Sequence, residues 1–450
     1  MNLKRSSLFI GFTGLSLAIG LATTYGFQSR PEVSKTIDKN VILGRDGMGF
    51  YAEEFSGPLA LADPLINLPA FVAINRALSS RGINLSIVLV PIKARIYEDR
   101  MPQLLPEVIH HRYDLFRNEL EAKNVHAPNI NAYLLQHPAR NSNLPLYFYA
   151  DTHWTPQTAF DVGEFVAREI AQRVILDIVP TFKTTKTRSV KQISGLKQLL
   201  EGSGDGDLIR LSAADNPAHT QIKPLTNVEL VSLETNIGLL ENTPAPRIVQ
   251  TGTSYSVYPA LVDGLRYGLQ RDVVLVARDG GWYHPLRDYL ASKDFQTNPP
   301  RVIVWEYPER SLSTAFEARD PERMVANVLG WCENGTKPIG ISKITSQSTS
   351  VVYELEFQNP IVGTYLSLET GTSNSTSNST MLTLTNPQET TTPANLEGSK
   401  LSSASRTQTL LDRVLKIPTR RLNIKLEAGT PEAIQQIKIN DARVCNTELR

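Results

Sequence analysis

The chain has 450 residues, 41% of them hydrophobic, with 46 basic and 45 acidic residues and a net charge of +1. That length favours two or three domains, and the apolar content supports one large core and a smaller one. The balanced charge excludes the basic excess of a nucleic-acid binder and steering by a large overall field, leaving only local patches.

Lys4 and Arg5 precede a nearly uncharged run from Leu8 to Phe27. A bilayer is crossed by roughly 20 apolar residues, about the length of this run. Gly11, Gly14, Gly20 and Gly26 would weaken it as a soluble core helix. A short basic segment, an apolar run and a polar chain describe a secretory signal or an uncleaved signal anchor over residues 1–27. The basic flank puts the N-terminus in the cytoplasm and the remainder outside. Ala22-Thr23-Thr24 offers small residues for cleavage, but the run is long for a cleaved signal, which favours retention as an anchor. Residues 28–40 read as a polar linker.

From residue 41 to 330 apolar runs alternate with helical patterns. Leu85 to Val90 is a β-rich run ending at Pro91, and residues 108–123 form an amphipathic helical pattern. Thr155 is a good N-cap and Pro156 fits a first helical position, so a helix starts there and carries Phe160, Val162, Val166 and Ile170. Arg247 to Gln250 is a strand running into Thr251-Gly252-Thr253-Ser254, and a helix follows from about Pro259 to Leu269. Val273 to Val276 is the next strand, ending at Asp279-Gly280-Gly281, with a helix over about Pro285 to Ser292. Val302 to Trp305 is the last strand of this part. Alternating strands and helices predict an α/β domain with a mostly parallel sheet and helices on both faces. The strands are continuously apolar, as a sheet covered on both faces requires. Residues 175–245 read as a surface excursion or part of the substrate cleft, with basic and Ser/Thr-rich stretches, a short helix at Leu196 to Leu200 and a flexible loop at Gly202 to Gly206.

Residues 331–450 change character. Val351 to Phe357, Tyr365 to Leu368, Met381 to Leu384 and Leu422 to Leu426 alternate, separated by Gly, Asn, Ser and Pro. This predicts a C-terminal antiparallel β-sandwich. The two cysteines, Cys332 and Cys445, fall at its ends. In an oxidising compartment they read as a disulfide closing about 113 residues, worth on the order of 4–5 kcal/mol by chain entropy. No CxxC or Cys/His spacing suggests a metal, and no cofactor is called for.

Two short blocks carry chemistry. In Asp151-Thr152-His153-Trp154-Thr155-Pro156 the Asp and His lie two residues apart just before a helix, so both side chains can face one way. A carboxylate can then hold one imidazole nitrogen and leave the other as a base. In Gly252-Thr253-Ser254-Tyr255-Ser256 a serine follows a glycine at a strand's carboxyl end, where reacting atoms collect in open α/β sheets. Chemistry alone leaves Ser254 and Ser256 open. The N–H of Ser254 and, through its paired glycines, Gly281 are oxyanion-donor candidates. Trp154, Trp305 and Tyr307 flank the motifs and offer rings for stacking on sugars or for the core.

Taken in order, these blocks resemble the AlgX/AlgJ family of alginate O-acetylation proteins, whose catalytic domain is similar to SGNH hydrolases. Val41 to Gly47, Val90-Pro91-Ile92-Lys93-Ala94, Tyr147 to Thr155, Thr251 to Ser256 and Trp305 to Arg310 carry the resemblance. It implies an α/β SGNH-hydrolase-like domain, with Ser254 as nucleophile, His153 as base and Asp151 as its orienting carboxylate. The Asp/His pair precedes the serine, the reverse of ordinary SGNH hydrolases. The resemblance also implies a carbohydrate-binding-module-like role for residues 331–450. The implied reaction is periplasmic O-acetylation of an alginate-like exopolysaccharide through an acetyl-enzyme. Its partners would be a polysaccharide acceptor, an acetyl-donor protein or membrane acetyl-transfer partner, an export complex and the inner membrane. A polysaccharide acetylesterase uses the same residues, and a non-catalytic polysaccharide-binding scaffold would not need Ser254.

Overall fold

The strands of the first part are β1 (Val41–Leu43), β2 (Gly49–Tyr51), β3 (Asn84–Val90), β4 (Thr184–Ile193), β5 (Thr226–Thr235), β6 (Ile248–Gly252), β7 (Val274–Ala277) and β8 (Val302–Pro308). In this computed structural model, β3, β8, β6 and β7 form one parallel sheet in that spatial order. The pairs β1–β2 and β4–β5 are separate antiparallel ribbons. The structure describes residues 40–58, 60–176, 184–212, 221–235, 248–258, 260–317, 320–330, 336–361, 365–371, 381–385, 406–410, 419–427 and 438–445. The expected export segment and Cys332 of the expected disulfide lie outside these residues.

The side-chain period of two splits each central strand between two cores. Val88 and Val90 of β3, Ile248 of β6, and Val302 and Val304 of β8 face one. Leu85, Ile87 and Leu89, with Val249, Ile303, Trp305 and Tyr307, face the other. Every residue of β6 and β8 is buried, which explains why their sequences do not alternate. The first core is covered by the Pro156–Arg173 helix packed against the Ala260–Leu269 helix. The second is covered by the helices Leu68–Ser80, Glu107–Ala122, His284–Leu290 and Asp320–Leu329. Thr155 caps its helix as expected, its side chain accepting from Thr158 N.

In the later part, β9 (Gly340–Ser346), β10 (Ser350–Ile361), β11 (Tyr365–Gly371), β12 (Met381–Thr385), β13 (Arg406–Leu410), β14 (Thr419–Glu427) and β15 (Lys438–Cys445) form two antiparallel sheets. Their orders are β12-β14-β10-β9 and β13-β11-β15. Alternate residues meet in one small core: Val351, Leu355 and Phe357, with Leu422, Ile424 and Leu426, from the first sheet, and Leu366, Leu368, Ala442 and Val444 from the second. This is the expected β-sandwich.

The carboxyl ends of three neighbouring strands meet at one edge. β3 leads to Lys93, β6 to Ser254 and β8 to Glu309 and Arg310. The described residues between β4 and β5, in a stretch read from sequence as a surface excursion or part of the substrate cleft, reach this edge through Leu196 and Asp207. They ride on a ribbon paired over ten positions, from Thr184↔Thr235 to Ile193↔Thr226.

Candidate active site

β6 ends at Gly252, and a one-turn helix, Ser254–Val257, begins two residues later, after Thr253. The turn is clamped from below by Glu306 of β8, which is fully buried. Its carboxylate accepts from Thr253 N (2.6 Å), Thr253 Oγ1 (3.0 Å) and Ser256 Oγ (2.9 Å). Burial pushes Glu306 up to about 7 despite those bonds. A Cβ on residue 252 would sit 2.4 Å from Glu306 Oε2 and 2.5 Å from Ser256 Oγ, so only glycine fits over this carboxylate. The clamp separates the two serines. Ser256 Oγ is held between Gln250 and Glu306. Ser254 Oγ is free of the clamp and lies 2.8 Å from His153 Nε2.

His153 Nδ1 lies 2.6 Å from Asp151 Oδ1, which also accepts from His153 N at 3.0 Å. The other oxygen, Oδ2, accepts from Leu196 N and Asp207 N, both at 3.1 Å. Both Asp151 oxygens are thus occupied and the carboxylate cannot rotate. Leu196 N can reach it because residue 195 is glycine: a Cβ there would lie 2.2 Å from Asp151 Oδ2. The loop is also held through its carbonyls. Lys93 Nζ donates to Tyr149 O (2.9 Å) and Asp151 O (3.1 Å). Burial pulls that ammonium down to about 7. The segment bearing Lys93 is fixed in turn by Glu309, which accepts from Ile92 N and pairs with Arg95 and Arg112. Those two guanidiniums overcome the effect of burial and hold Glu309 down at about 2.

Burial opposes both charges of the Asp151–His153 pair, but their mutual attraction wins. Asp151 is held below the usual carboxylate range by the imidazole and by the N–H donors of His153 and Asp207. His153 is raised above the usual imidazole range by Asp151. A second carboxylate, Asp207, has Oδ2 3.6 Å from His153 Nδ1 and accepts from the N and Oγ1 of Thr152. Burial and then the charge of Asp151 push Asp207 up to about 6. Arg310 completes the wall, donating to Thr152 Oγ1 (3.3 Å) and Glu54 Oε1 (3.4 Å) and lying 5.3 Å from the Tyr255 ring centroid. Asp151, His153 and Asp207 could offer ligand atoms within 4.8 Å of one another. The bonding of Asp151, however, is spent on orienting an imidazole toward a serine.

The structure thus brings Asp151, His153 and Ser254 together and sends other expected site residues elsewhere. Gly281 N donates to Arg278 O at 2.9 Å, closing its own turn, so it does not serve as an oxyanion donor to Ser254. Trp305 and Tyr307 are not sugar platforms. Both are 0% exposed and belong to the core on the far face of the sheet. Trp305 stacks on Phe71 at 4.5 Å, and Tyr307 donates to Ser311 O. The pleat decides this: Glu306, between them, takes the opposite face, beneath the serine. Trp154 does line the pocket beside Ser254, but it is only 4% exposed and its Nε1 donates to Tyr255 O. Trp305→Ala is therefore expected to lower unfolding stability by about 3–5 kcal/mol, read by denaturant titration.

Sequence reading missed Asp207, Gly195, Glu306 and Arg310. An acidic residue inside the apolar run Val302 to Tyr307 was a legible signal of a buried polar role. Asp207 follows a glycine-rich stretch that reads as an ordinary loop, and nothing local tied it to Asp151.

Comparison with known proteins agrees with this geometry. The family model described as the SGNH hydrolase-like domain of acetyltransferase AlgX matches residues 41–309. The probable alginate O-acetylase AlgJ of Pseudomonas fluorescens is 30% identical over 288 residues, which cover 63% of this chain and 71% of the relative. AlgJ of Pseudomonas aeruginosa is 27% identical over 321 residues, covering 68% and 76%. The solved O-acetyltransferase domain of Pseudomonas putida AlgJ superposes with a TM-score of 0.53 at 26% identity, covering 64% of this chain and 98% of that domain. The structure of Pseudomonas aeruginosa AlgX gives 0.63 at 17% identity over 90% of this chain and 94% of its own, a likeness of fold that includes the later sheets. With more than half of its length matched by the family model, and the blocks of that resemblance meeting at one sheet edge, the chain belongs to the AlgX acetyltransferase family with an SGNH hydrolase-like domain.

Proposed function

We propose that this protein is a serine-dependent O-acetyltransferase that esterifies hydroxyls of an alginate-like exopolysaccharide in the periplasm. The observation that carries the reading is the unbroken line from Asp151 Oδ1 through both ring nitrogens of His153 to Ser254 Oγ, with spacings of 2.6 and 2.8 Å. In the first step Ser254 Oγ attacks the acetyl carbonyl carbon and its proton passes to His153 Nε2, which returns it to the departing group. An acetyl-serine remains. In the second step a sugar hydroxyl gives its proton to Nε2 and takes the acetyl carbon, restoring Ser254. Asp151 keeps Nδ1 protonated, so that Nε2 is the basic nitrogen, and stabilises the imidazolium between steps. The N–H of Ser254 is the oxyanion donor in this scheme.

The donor is an acetyl-carrying protein or a membrane-delivered acetyl group, and the acceptor is held by an export complex at the inner membrane. The β-sandwich has a carbohydrate-binding role in this reading. Membership of a family whose relatives are named alginate O-acetylases supports it. The test is tryptic mass spectrometry of the full-length protein after reaction with an activated acetyl ester, with acetylated oligosaccharide as the second product. Acetyl on the Ser254 peptide that is passed on to sugar supports the reading. Ester turnover without any transfer to sugar would make the protein an acetylesterase, and no acetyl-serine at all would remove the catalytic role.

A further inference from the structure

We propose that Asp207 is a positioning residue for the acyl chemistry, a second carboxylate that locks the Asp151–His153 turn and stabilises the imidazolium from the Nδ1 side. The proposal rests on the reading of Ser254 as nucleophile and His153 as its base. Asp207 opens the short helix Asp207–Leu211, between β4 and β5, and stands 56 residues from Asp151 in the chain.

The two segments hold each other in both directions. Asp207 N donates to Asp151 Oδ2 at 3.1 Å, and Leu208 N donates to Ala150 O at 3.0 Å. In return Thr152 N donates to Asp207 Oδ1 at 2.7 Å, and Thr152 Oγ1 donates to Oδ2. Residues 150, 151 and 152 are thus each tied to the Asp207 turn, directly before the imidazole. The same bonds bring Asp207 Oδ2 to 3.6 Å from His153 Nδ1. Holding Thr152 needs acceptors but no charge. The approach to Nδ1 is what gives the charge a task.

At that distance Asp207 acts on the ring by charge, while Asp151, at 2.6 Å, keeps the hydrogen bond to Nδ1. Each step of the acyl transfer puts a proton on Nε2, and the positive ring then stands beside two carboxylates. Asp151 and Asp207 favour that charge, and Arg310 opposes it. Asp207 itself feels Asp151, His153 and Arg310, and Glu54, Lys93 and Tyr255 also lie within its field. It is pushed up only to about 6, so it is charged where His153, raised above 6.5, titrates. Asp207 does not line the pocket beside Ser254, so its effect should fall on kcat rather than on KM.

The experiment measures kcat and KM of the full-length protein on p-nitrophenyl acetate as a function of pH, for wild type, Asp207→Asn, Asp207→Ala and Ser254→Ala. Asparagine keeps an oxygen for Thr152 N and offers an amide to Thr152 Oγ1, but it carries no charge. It should lower kcat by about 5-fold or more with KM within about 2-fold, and move the acidic midpoint of the rate down. Alanine also removes both acceptors of Thr152 and should cost about 100-fold in kcat, with the same downward move. A thermal unfolding midpoint close to wild type shows that either variant is folded, and one folded variant suffices. Wild-type kcat or an unchanged acidic midpoint in a folded Asp207 variant overturns the proposal and leaves Asp207 as a clamp on Thr152 alone. Turnover retained in Ser254→Ala overturns the underlying nucleophile reading, a result that the Asp207 variants cannot produce.

Discussion

Ser254→Ala is expected to abolish acetyl transfer, lowering turnover by about 1,000-fold or more, while Ser256→Ala keeps the chemistry and loses stability instead. The two serines stand two residues apart on the same turn, yet their surroundings assign them opposite tasks. Ser254 Oγ faces the imidazole, and its removal deletes one hydrogen bond near the surface of the pocket. The fold should lose no more than about 1 kcal/mol. Ser256 is fully buried between Gln250 and Glu306, so its removal strands the buried Gln250 amide and takes one of three donors from Glu306 Oε2. That should cost about 1–3 kcal/mol in unfolding free energy while leaving the nucleophile in place. Paired measurements of turnover and denaturant midpoint on the two variants check both halves. Activity surviving in Ser254→Ala but not in Ser256→Ala would reverse the roles argued here.

Asp151→Asn should reduce turnover by about 1,000- to 10,000-fold with little change in fold, and the cause is a matter of tautomer. The position now occupied by Oδ2 faces two N–H donors, Leu196 and Asp207. An asparagine will place its single oxygen there and its NH2 toward His153. Nδ1 must then accept, the ring proton moves to Nε2, and the nitrogen facing Ser254 is no longer a base.

The pH dependence follows from the same pair. His153 is raised above its ordinary value of 6.5 by Asp151, and only neutral His153 is a base, so the wild-type rate should climb with pH through a midpoint above 6.5. Without the carboxylate, that midpoint should move down in the residual activity of Asp151→Asn. The stability signs oppose each other. The raised His153 contributes stability that is fully present below its unfolded pKa and is lost as pH rises through its folded value. The depressed Asp151 contributes stability that is present above its unfolded pKa and is lost as pH falls through its still lower folded value. A pH–rate profile whose acidic midpoint is the same in wild type and Asp151→Asn would count against the pairing.

Much of this site was legible because its key residues are local. Asp151 and His153 share a turn, the Thr155 cap and Pro156 fix where the helix begins, and Ser254 ends a run of strand residues. Periodicity likewise gave the parallel sheet and the sandwich. What stayed hidden depends on contacts across long separations. The 175–245 stretch looked polar because β4 is exposed on both faces over most of its length, and such a two-stranded ribbon leaves no apolar run to read. Trp305 and Tyr307 were placed beside the motifs by chain proximity, but the facing of a strand residue is set by register, which a single strand does not reveal. Gly281 sat at the proper strand end, yet its N–H closes the turn that its neighbour Gly280 (φ +60°) makes possible.

β8 is the last strand of the parallel sheet to be synthesised, yet it lies between β3 and β6. Until residue 308 has emerged, the two halves of the sheet have nothing to join them, and the hydrogen-bonding edges they present to one another stay open. The same late segment brings Glu306 under the serine, Glu309 to the Lys93 turn and Arg310 to Thr152. A growing chain would therefore carry both its histidine and its serine, from residue 254 to residue 308, without being able to use either, and the site would assemble only as the central strand slots home.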